Sequence, residues 1–249
     1  MGNKTIPTDK QLMKKNRGVV YIVFGEKYID EAILSASSVK KHSPNLHVTF
    51  LCDQKVNSEF VDETQIMEVR HIRPKVDYVH LTPYRETILL DSDTVVNHDM
   101  TEMFEILEKY DLAICHDLAR KRDNVCALIP PYKKIPYAFP EVNPGVFVFK
   151  KCEATDLFFE TWRKYFYKYH SVWPYEQPTF RVALWESKLN LYILPPEYNA
   201  RSKQNRDKQH KFHHEFGEEH LKERIFHMHH GKETVKDALQ HCVENYMPY

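Results

Sequence analysis

Two carboxylates one residue apart, Asp91 and Asp93, close an apolar run in the segment ILLDSDTVV. On an extended chain residues i and i+2 point to the same side, so both side chains can address one ion. Two anions this close repel unless something positive lies between them. A hard divalent cation, manganese or magnesium, meets that need and leaves coordination positions open for phosphate oxygens. Asp and Ser also favour solvated turns, and a bare D-x-D fits that reading too. The apolar strand in front favours a site, because open α/β sheets bind ligands beyond the carboxyl ends of their strands.

The elements that must position this pair can be read along the chain. GVVYIVF (18–24), ended by Gly25, suits a buried parallel strand. Residues 28–41 place Ile29, Ala32, Ile33, Ala36 and Val39 at helical spacing. HVTFLCD (47–53) is a second strand ending on a carboxylate, and 65–72 alternate like a third. RETILLDSDTVV (85–96) holds the fourth, with Asp99 and Glu102 behind it spaced as a helix start. Residues 111–117 and 145–150 are further strands, with 190–194 and 224–230 as late ones. Residues 153–170, 175–187 and 233–245 carry helical patterns, and the aromatic-rich first of these reads as core. This alternation predicts an α/β fold with a mainly parallel mixed sheet flanked by helices. It occupies one domain, 18–249, after a flexible segment, 1–17. Residues 116–142, with Pro130, Pro131, Pro136 and Pro140, and residues 201–222 read as long loops of the kind that cover sites.

Composition narrows the chemistry. Lys+Arg 35 balances Asp+Glu 35, which argues against nucleic acid held by bulk phosphate attraction. The 6 glycines in 249 residues are about a third of the usual ~7 %. None has the spacing of a G-x-G-x-x-G turn or a P-loop. The 5 cysteines include no C-x-x-C pair, which fits reduced thiols in a cytoplasmic setting. The polar N-terminus lacks the apolar core of a signal peptide, and no apolar run approaches the ~18 residues of a membrane span.

Two enzyme classes place D-x-D after an apolar strand. In sugar-nucleotide transferases the pair holds a metal on a diphosphate; in aspartyl-phosphate phosphatases of the HAD type the first Asp is the nucleophile. The phosphatase string usually opens its domain, whereas three strands precede Asp91 here, and the transferase reading is favoured.

Around that pair the chain resembles GT-A glycosyltransferases of the family 8 type (glycogenin- and galactosyltransferase-like). IVFGEKYIDEAILSASSVKKHSPNLHVTFLCD resembles the family's opening, and RETILLDSDTVV its metal-binding D-x-D. VNPGVFVFKK (142–151) resembles its N-x-G-V-x-x-F segment, YEQPTF (175–180) its D-Q segment, and LPPEYNAR (194–201) its L-P-x-x-x-N. IFHMHHGK (225–232) resembles the terminal His-x-x-Gly element. The motifs keep the family's order over residues 18–232. The family's K-P-W after the last glycine is absent, Met228 takes the usual histidine spacing, and D-Q is Glu176-Gln177.

The resemblance implies a role for each candidate. Asp91, Asp93 and a C-terminal histidine, His227 or His229, would hold manganese or magnesium. Gly25, Glu26 and Tyr28 would receive the nucleobase, with the Tyr28 ring stacked on it, and Asp91 and Ser92 would stand at the nucleotide. Lys75 would meet the donor phosphates or sugar. Asn143 and Gly145 would line the donor sugar, and Glu176 and Gln177 the reaction centre. The ordinary alternatives are a core tyrosine, a solvated lysine, a turn glycine and acidic helix-start chemistry. A zinc site of His210, His214 and His220 is compatible with helical spacing but lacks H-E-x-x-H. The basic run 201–211 would close over a bound diphosphate. The expected activity is metal-dependent transfer of a sugar, with retention, from a nucleotide-diphosphate donor, a UDP-sugar, to a hydroxyl of a glycan, lipid-linked or protein acceptor. A nucleotide-sugar-binding relative without turnover is the non-enzyme alternative.

Overall fold

A computed structural model describes residues 16–69, 73–201, 223–228, 234–237 and 239. The elements run β1 (Arg17–Val23), α1 (Glu26–His42), β2 (His47–Cys52), β3 (Glu63–Ile66), α2 (Pro74–Tyr78), β4 (Glu86–Leu90) and β5 (Thr94–Val96). They continue with β6 (Leu112–His116), α3 (Asp123–Leu128), α4 (Pro130–Lys134), β7 (Val142–Lys150), α5 (Glu153–Tyr169) and α6 (Gln177–Glu186). β8 (Leu191–Leu194), β9 (Ala200–Arg201) and β10 (Ile225–His227) follow, and three short 3₁₀ segments, Val79–Leu81, Thr101–Glu108 and Pro196–Asn199, complete the path.

Seven strands form one sheet in the order β3-β2-β1-β4-β7-β6-β8. The pairs β1–β2, β1–β4, β2–β3 and β6–β8 are parallel; only β7 runs against its neighbours β4 and β6. The inner strands β2, β1, β4, β7 and β6 are buried on both faces, which is why they read as continuous apolar runs rather than alternating ones. In β1, Val19, Tyr21 and Val23 pack towards Ile29, Ala32, Ala36 and Val39 of α1. Val20 and Ile22 face the other way, towards Phe158, Phe159, Trp162 and Phe166 of α5 and Phe180 of α6. The aromatic helix is therefore core, as expected. Tyr165, which reaches Glu186 instead, and the exposed Tyr167 stand outside this cluster.

Several expectations are corrected. The fourth strand ends at Leu90, just before the acidic pair as expected, but Thr94–Val96 do not belong to it and join a separate sheet ordered β5-β10-β9. The third strand covers only Glu63–Ile66. The expected loop 116–142 contains two short helices, α3 and α4, the second with Pro at its start, where a missing N–H costs nothing. Of the strand expected over 224–230, the described residues Ile225–His227 form β10, and residues 229–230 lie outside the described residues. Arg17, placed in the lead-in segment, is already in β1, where its Nε pairs with Glu86 Oε2 at 2.6 Å. Gly145 is no turn before a strand but lies within β7.

Parallel strands present their C-terminal ends at one edge of the sheet, and the reversed β7 presents its N-terminal end there. Residues following β1, β2, β4, β6 and β8 thus meet the first residues of β7 at one edge. The β7 start is also bulged against β6. His116 pairs with Val142 and Ile114 with Phe147, so five steps of β7 face two of β6. This explains how Pro144, which has no N–H to give, sits inside a central strand. It also frees Asn143, Pro144 and Gly145 to serve the edge.

His229, the candidate histidines His210, His214 and His220, and the run after Arg201 up to 222 lie outside the described residues. The expected closing helix is described only in part: residues 235–237 and 239 are helical, with Val235 packed against Phe226 and Met228. Among the described residues no helix is long and apolar enough to cross a membrane.

Candidate active site

Asp91 follows β4, and its N–H donates to Gly145 O at 2.8 Å. Asp91 and Asp93 meet through a turn rather than along an extended strand, which corrects the geometric argument for their pairing while keeping its result. The turn is braced from behind. Thr94 Oγ1 donates to Asp91 O at 2.8 Å and bonds Ser35 Oγ of α1 at 2.9 Å, which in turn bonds the buried Tyr21 hydroxyl at 2.7 Å. Burial pushes the Tyr21 phenol far above its ordinary range, so it stays a neutral hydrogen-bonding group.

His227 reaches the pair through sheet register. β10 runs antiparallel to β5 with His227 opposite Thr94, and Met228 N–H donates to Asp93 O at 2.7 Å. His227 Nε2 then stands 3.2 Å from Asp93 Oδ1 and 4.0 Å from Asp91 Oδ2. Ligand atoms of Asp91, Asp93 and His227 all lie within 4.8 Å of one another.

Which nitrogen of His227 carries the proton follows from a chain of hydrogen bonds anchored on a backbone group. Gly145 N–H can only donate, and its partner at 3.0 Å is Asn143 Oδ1. Asn199 therefore turns its Nδ2 to that same oxygen, at 3.1 Å, and its Oδ1 to His227 Nδ1, at 2.8 Å. His227 Nδ1 is then the donor to Asn199, which leaves Nε2 as the ring atom that faces the two carboxylates. Two carboxylates and an imidazole nitrogen thus converge, a set that could hold a divalent cation. Gly145 belongs to the same cradle. A Cβ there would lie 2.9 Å from both Asn143 Oδ1 and Asp91 Oδ2, and closer still to His227 Cε1.

Lys75 is not the solvated lysine of the ordinary alternative. Its side chain is only 10 % exposed, and Nζ lies 2.5 Å from Asp91 Oδ1 and 3.8 Å from Glu176 Oε1. It also donates to Pro144 O at 2.9 Å. One ammonium thus links the metal-side carboxylate to Glu176, whose other oxygen is 3.4 Å from Arg73 Nε. The Glu176 carbonyl accepts from Trp162 Nε1 at 3.2 Å, so the aromatic core holds the start of α6.

The nucleobase candidates gather at the start of α1. Gly25 has φ 88°, a conformation that favours glycine, and its N–H is shared by both Asp53 oxygens at 3.1 Å. Glu26 is exposed. Tyr28 is 43 % exposed, with Lys27 Nζ 5.7 Å from its ring centre, and is no core aromatic. Ser92 donates to Glu31 Oε2 at 2.6 Å, tying the acidic turn to α1.

On the other side, Asn143 Nδ2 reaches Asp117 Oδ2 at 3.3 Å and Gln177 Oε1 at 3.4 Å. Gln177 is the first residue of α6, and its Nε2 donates to Asp117 Oδ2 at 3.0 Å. Burial alone would raise the Asp117 carboxyl, but Arg201 (2.5 Å), the Ala119 N–H and Arg122 together hold it below its ordinary range. Sequence reasoning assigned no role to Asp53, Asp117 or Glu141. For the first two the signal was present, since each is a carboxylate just past an apolar strand, the same feature that singled out Asp91.

The fold is that of GT-A glycosyltransferases. Among solved structures, the chain is similar to the bifunctional glycosyltransferase WbbM (TM-score 0.65, 14 % identity, covering 92 % of this chain and 50 % of that one). It is also similar to the galactosyltransferase LgtC in complex with donor and acceptor sugar analogs (0.61, 12 %, 93 % and 97 %). A third is the glycosyltransferase GlyE of Streptococcus pneumoniae TIGR4 (0.60, 17 %, 86 % and 54 %). The chain thus spans about half the length of WbbM and of GlyE and nearly all of LgtC. No curated protein matches the sequence. The profile of the nucleotide-diphospho-sugar transferases matches residues 85–236, more than half of the chain, and the chain belongs to that family.

Proposed function

We propose that the protein transfers a sugar, with retention, from a UDP-sugar to a hydroxyl on a glycan, lipid-linked or protein acceptor, in a manganese- or magnesium-dependent reaction. The observation that carries the reading is the convergence of His227 Nε2 with the Asp91 and Asp93 carboxylates, a donor set suited to a divalent cation at the ligand-binding edge of the sheet. A divalent ion held by these three residues supplies Lewis-acid stabilisation of the charge growing on the leaving diphosphate.

The chain's own residues do the rest. The exposed Tyr28 ring offers a stacking face to the base, beside the backbone turn that Asp53 holds at Gly25. Lys75 places a positive charge between Asp91 and Glu176, where donor phosphates or sugar would lie. Asn143 and Gly145 line the sugar side, and Gln177 turns its carbonyl end towards Asn143, where it can face positive charge developing at the anomeric carbon. Glu176, with Arg73 and Lys75 beside its two oxygens, is placed to accept hydrogen bonds from sugar hydroxyls.

The test is a thermal-shift screen of nucleotide sugars with manganese, followed by donor hydrolysis with and without the metal. Stabilisation and metal-dependent turnover of one UDP-sugar are expected, and Asp93→Asn should remove the turnover while the chain stays folded. Stabilisation without any turnover would return the protein to a sugar-nucleotide binder. Wild-type turnover in Asp93→Asn would sink the acidic-pair reading.

A further inference from the structure

Glu141 is an acid to which neither the metal site nor the donor site gives a role. It is fully buried one residue before β7, yet it is not isolated. Its Oε1 accepts from Gln177 Nε2 at 3.2 Å, and its Oε2 accepts the Tyr132 hydroxyl of α4 at 2.6 Å. Arg181 Nη1 of α6 lies 3.5 Å from the same Oε2, with its guanidinium over the Tyr132 ring at 4.8 Å. The Glu141 carbonyl accepts Asp117 N–H at 2.8 Å, so the two acids that share Gln177 are also joined through backbone.

We propose that Glu141 is a positioning residue for Gln177, fixing which end of that amide stands on the Asn143 side of the site. An amide nitrogen has two hydrogens, and here one goes to Asp117 and one to Glu141. With both taken, the carbonyl end can only point to Asn143 Nδ2. The inference rests on the reading of Gln177 as a residue of the reaction centre.

The arrangement makes the amide sensitive to protonation. With Tyr132 already donating to Oε2 and Arg181 beside it, an added proton sits on Oε1 and turns that atom from acceptor to donor. A protonated Glu141 then asks for the carbonyl end of Gln177, while Asp117 still asks for the amino end. The two demands cannot both be met, and the amide loses its single orientation. Burial raises the Glu141 carboxyl to about 7, although the Tyr132 hydroxyl, Arg181, Gln177 and Arg122 all favour its charged form. The conflict therefore arises as pH falls through the neutral range.

The test follows the Gln177 side-chain amide resonance in ¹⁵N-labelled protein from pH 5.5 to 8.5, assigned by its loss in Gln177→Met. In the wild type it should titrate with a midpoint near 7. In Glu141→Gln the titration should vanish. Tyr132→Phe, which removes a donor to the charged carboxylate, should move the midpoint upwards and serves if Glu141→Gln does not fold. A Gln177 signal that ignores pH, or titrates alike in wild type and both variants, overturns the proposal. The second readout is manganese-dependent UDP-glucose hydrolysis at saturating metal. Its kcat should fall about tenfold between pH 8 and 6, with KM nearly unchanged, and this limb should be absent in Glu141→Gln. A limb that persists there overturns the link to turnover. An amide titration without turnover of any nucleotide sugar supports the positioning and fails the transferase reading instead.

Discussion

Replacing Gly145 by alanine tests whether the cradle under the acidic pair exists to hold a cation. The added Cβ would enter the space between Asn143 Oδ1 and Asp91 Oδ2, at 2.9 Å from each, and press on the His227 ring. Forcing a methyl group into a filled interior costs roughly 1–3 kcal/mol of stability. The more telling effect is on ligation. A ligand that binds only the folded state at 100 times its Kd adds ~2.7 kcal/mol to stability. Disturbing the groups that orient metal ligands weakens affinity by about 10–100-fold. At the same ligand concentration a 100-fold loss leaves RT ln 2, about 0.4 kcal/mol. Urea unfolding with and without manganese plus UDP reads this difference directly. Gly18→Ala is the control, because its Cβ would strike the buried Tyr84 ring and not the site. It should lose stability while keeping the full ligand-linked gain. If Gly145→Ala also keeps the wild-type gain, the cradle does not hold the ion, and the reasoning from Asp91, Asn143 and His227 is wrong.

Asn199→Ala should weaken manganese binding in the presence of UDP by about 10–100-fold, because His227 Nδ1–H loses the acceptor that sets its tautomer; calorimetric titration measures it, and unchanged affinity would dissolve the hydrogen-bond chain. Tyr28→Ala should weaken UDP binding by roughly 1–3 kcal/mol with little loss of stability, since the ring is 43 % exposed. Intact UDP affinity in that variant would remove the ring from the nucleobase site.

Much of the fold was legible because it is local. Strands buried on both faces appear as unbroken apolar runs, and α1 shows its buried face at Ile29, Ala32, Ala36 and Val39 by spacing alone. The position of Asp91 beyond such a run singled out the candidate site, and the order of the motifs marked the family. The candidate histidine could be narrowed to His227 or His229, and His227 could not be oriented. The ring of His227 is oriented by Asn199, which is itself held by Asn143, and these residues lie far apart in sequence and come together only where the reversed, bulged β7 begins. Glu141, Asp117 and Gln177 were equally out of reach as a group. They come from three different elements, and no periodicity records that two acids would share one amide. Spacing along the chain reports which face a residue takes. Which residues from distant segments face each other is decided by strand direction, register and the bulge at Pro144, and those exist only once the sheet has formed.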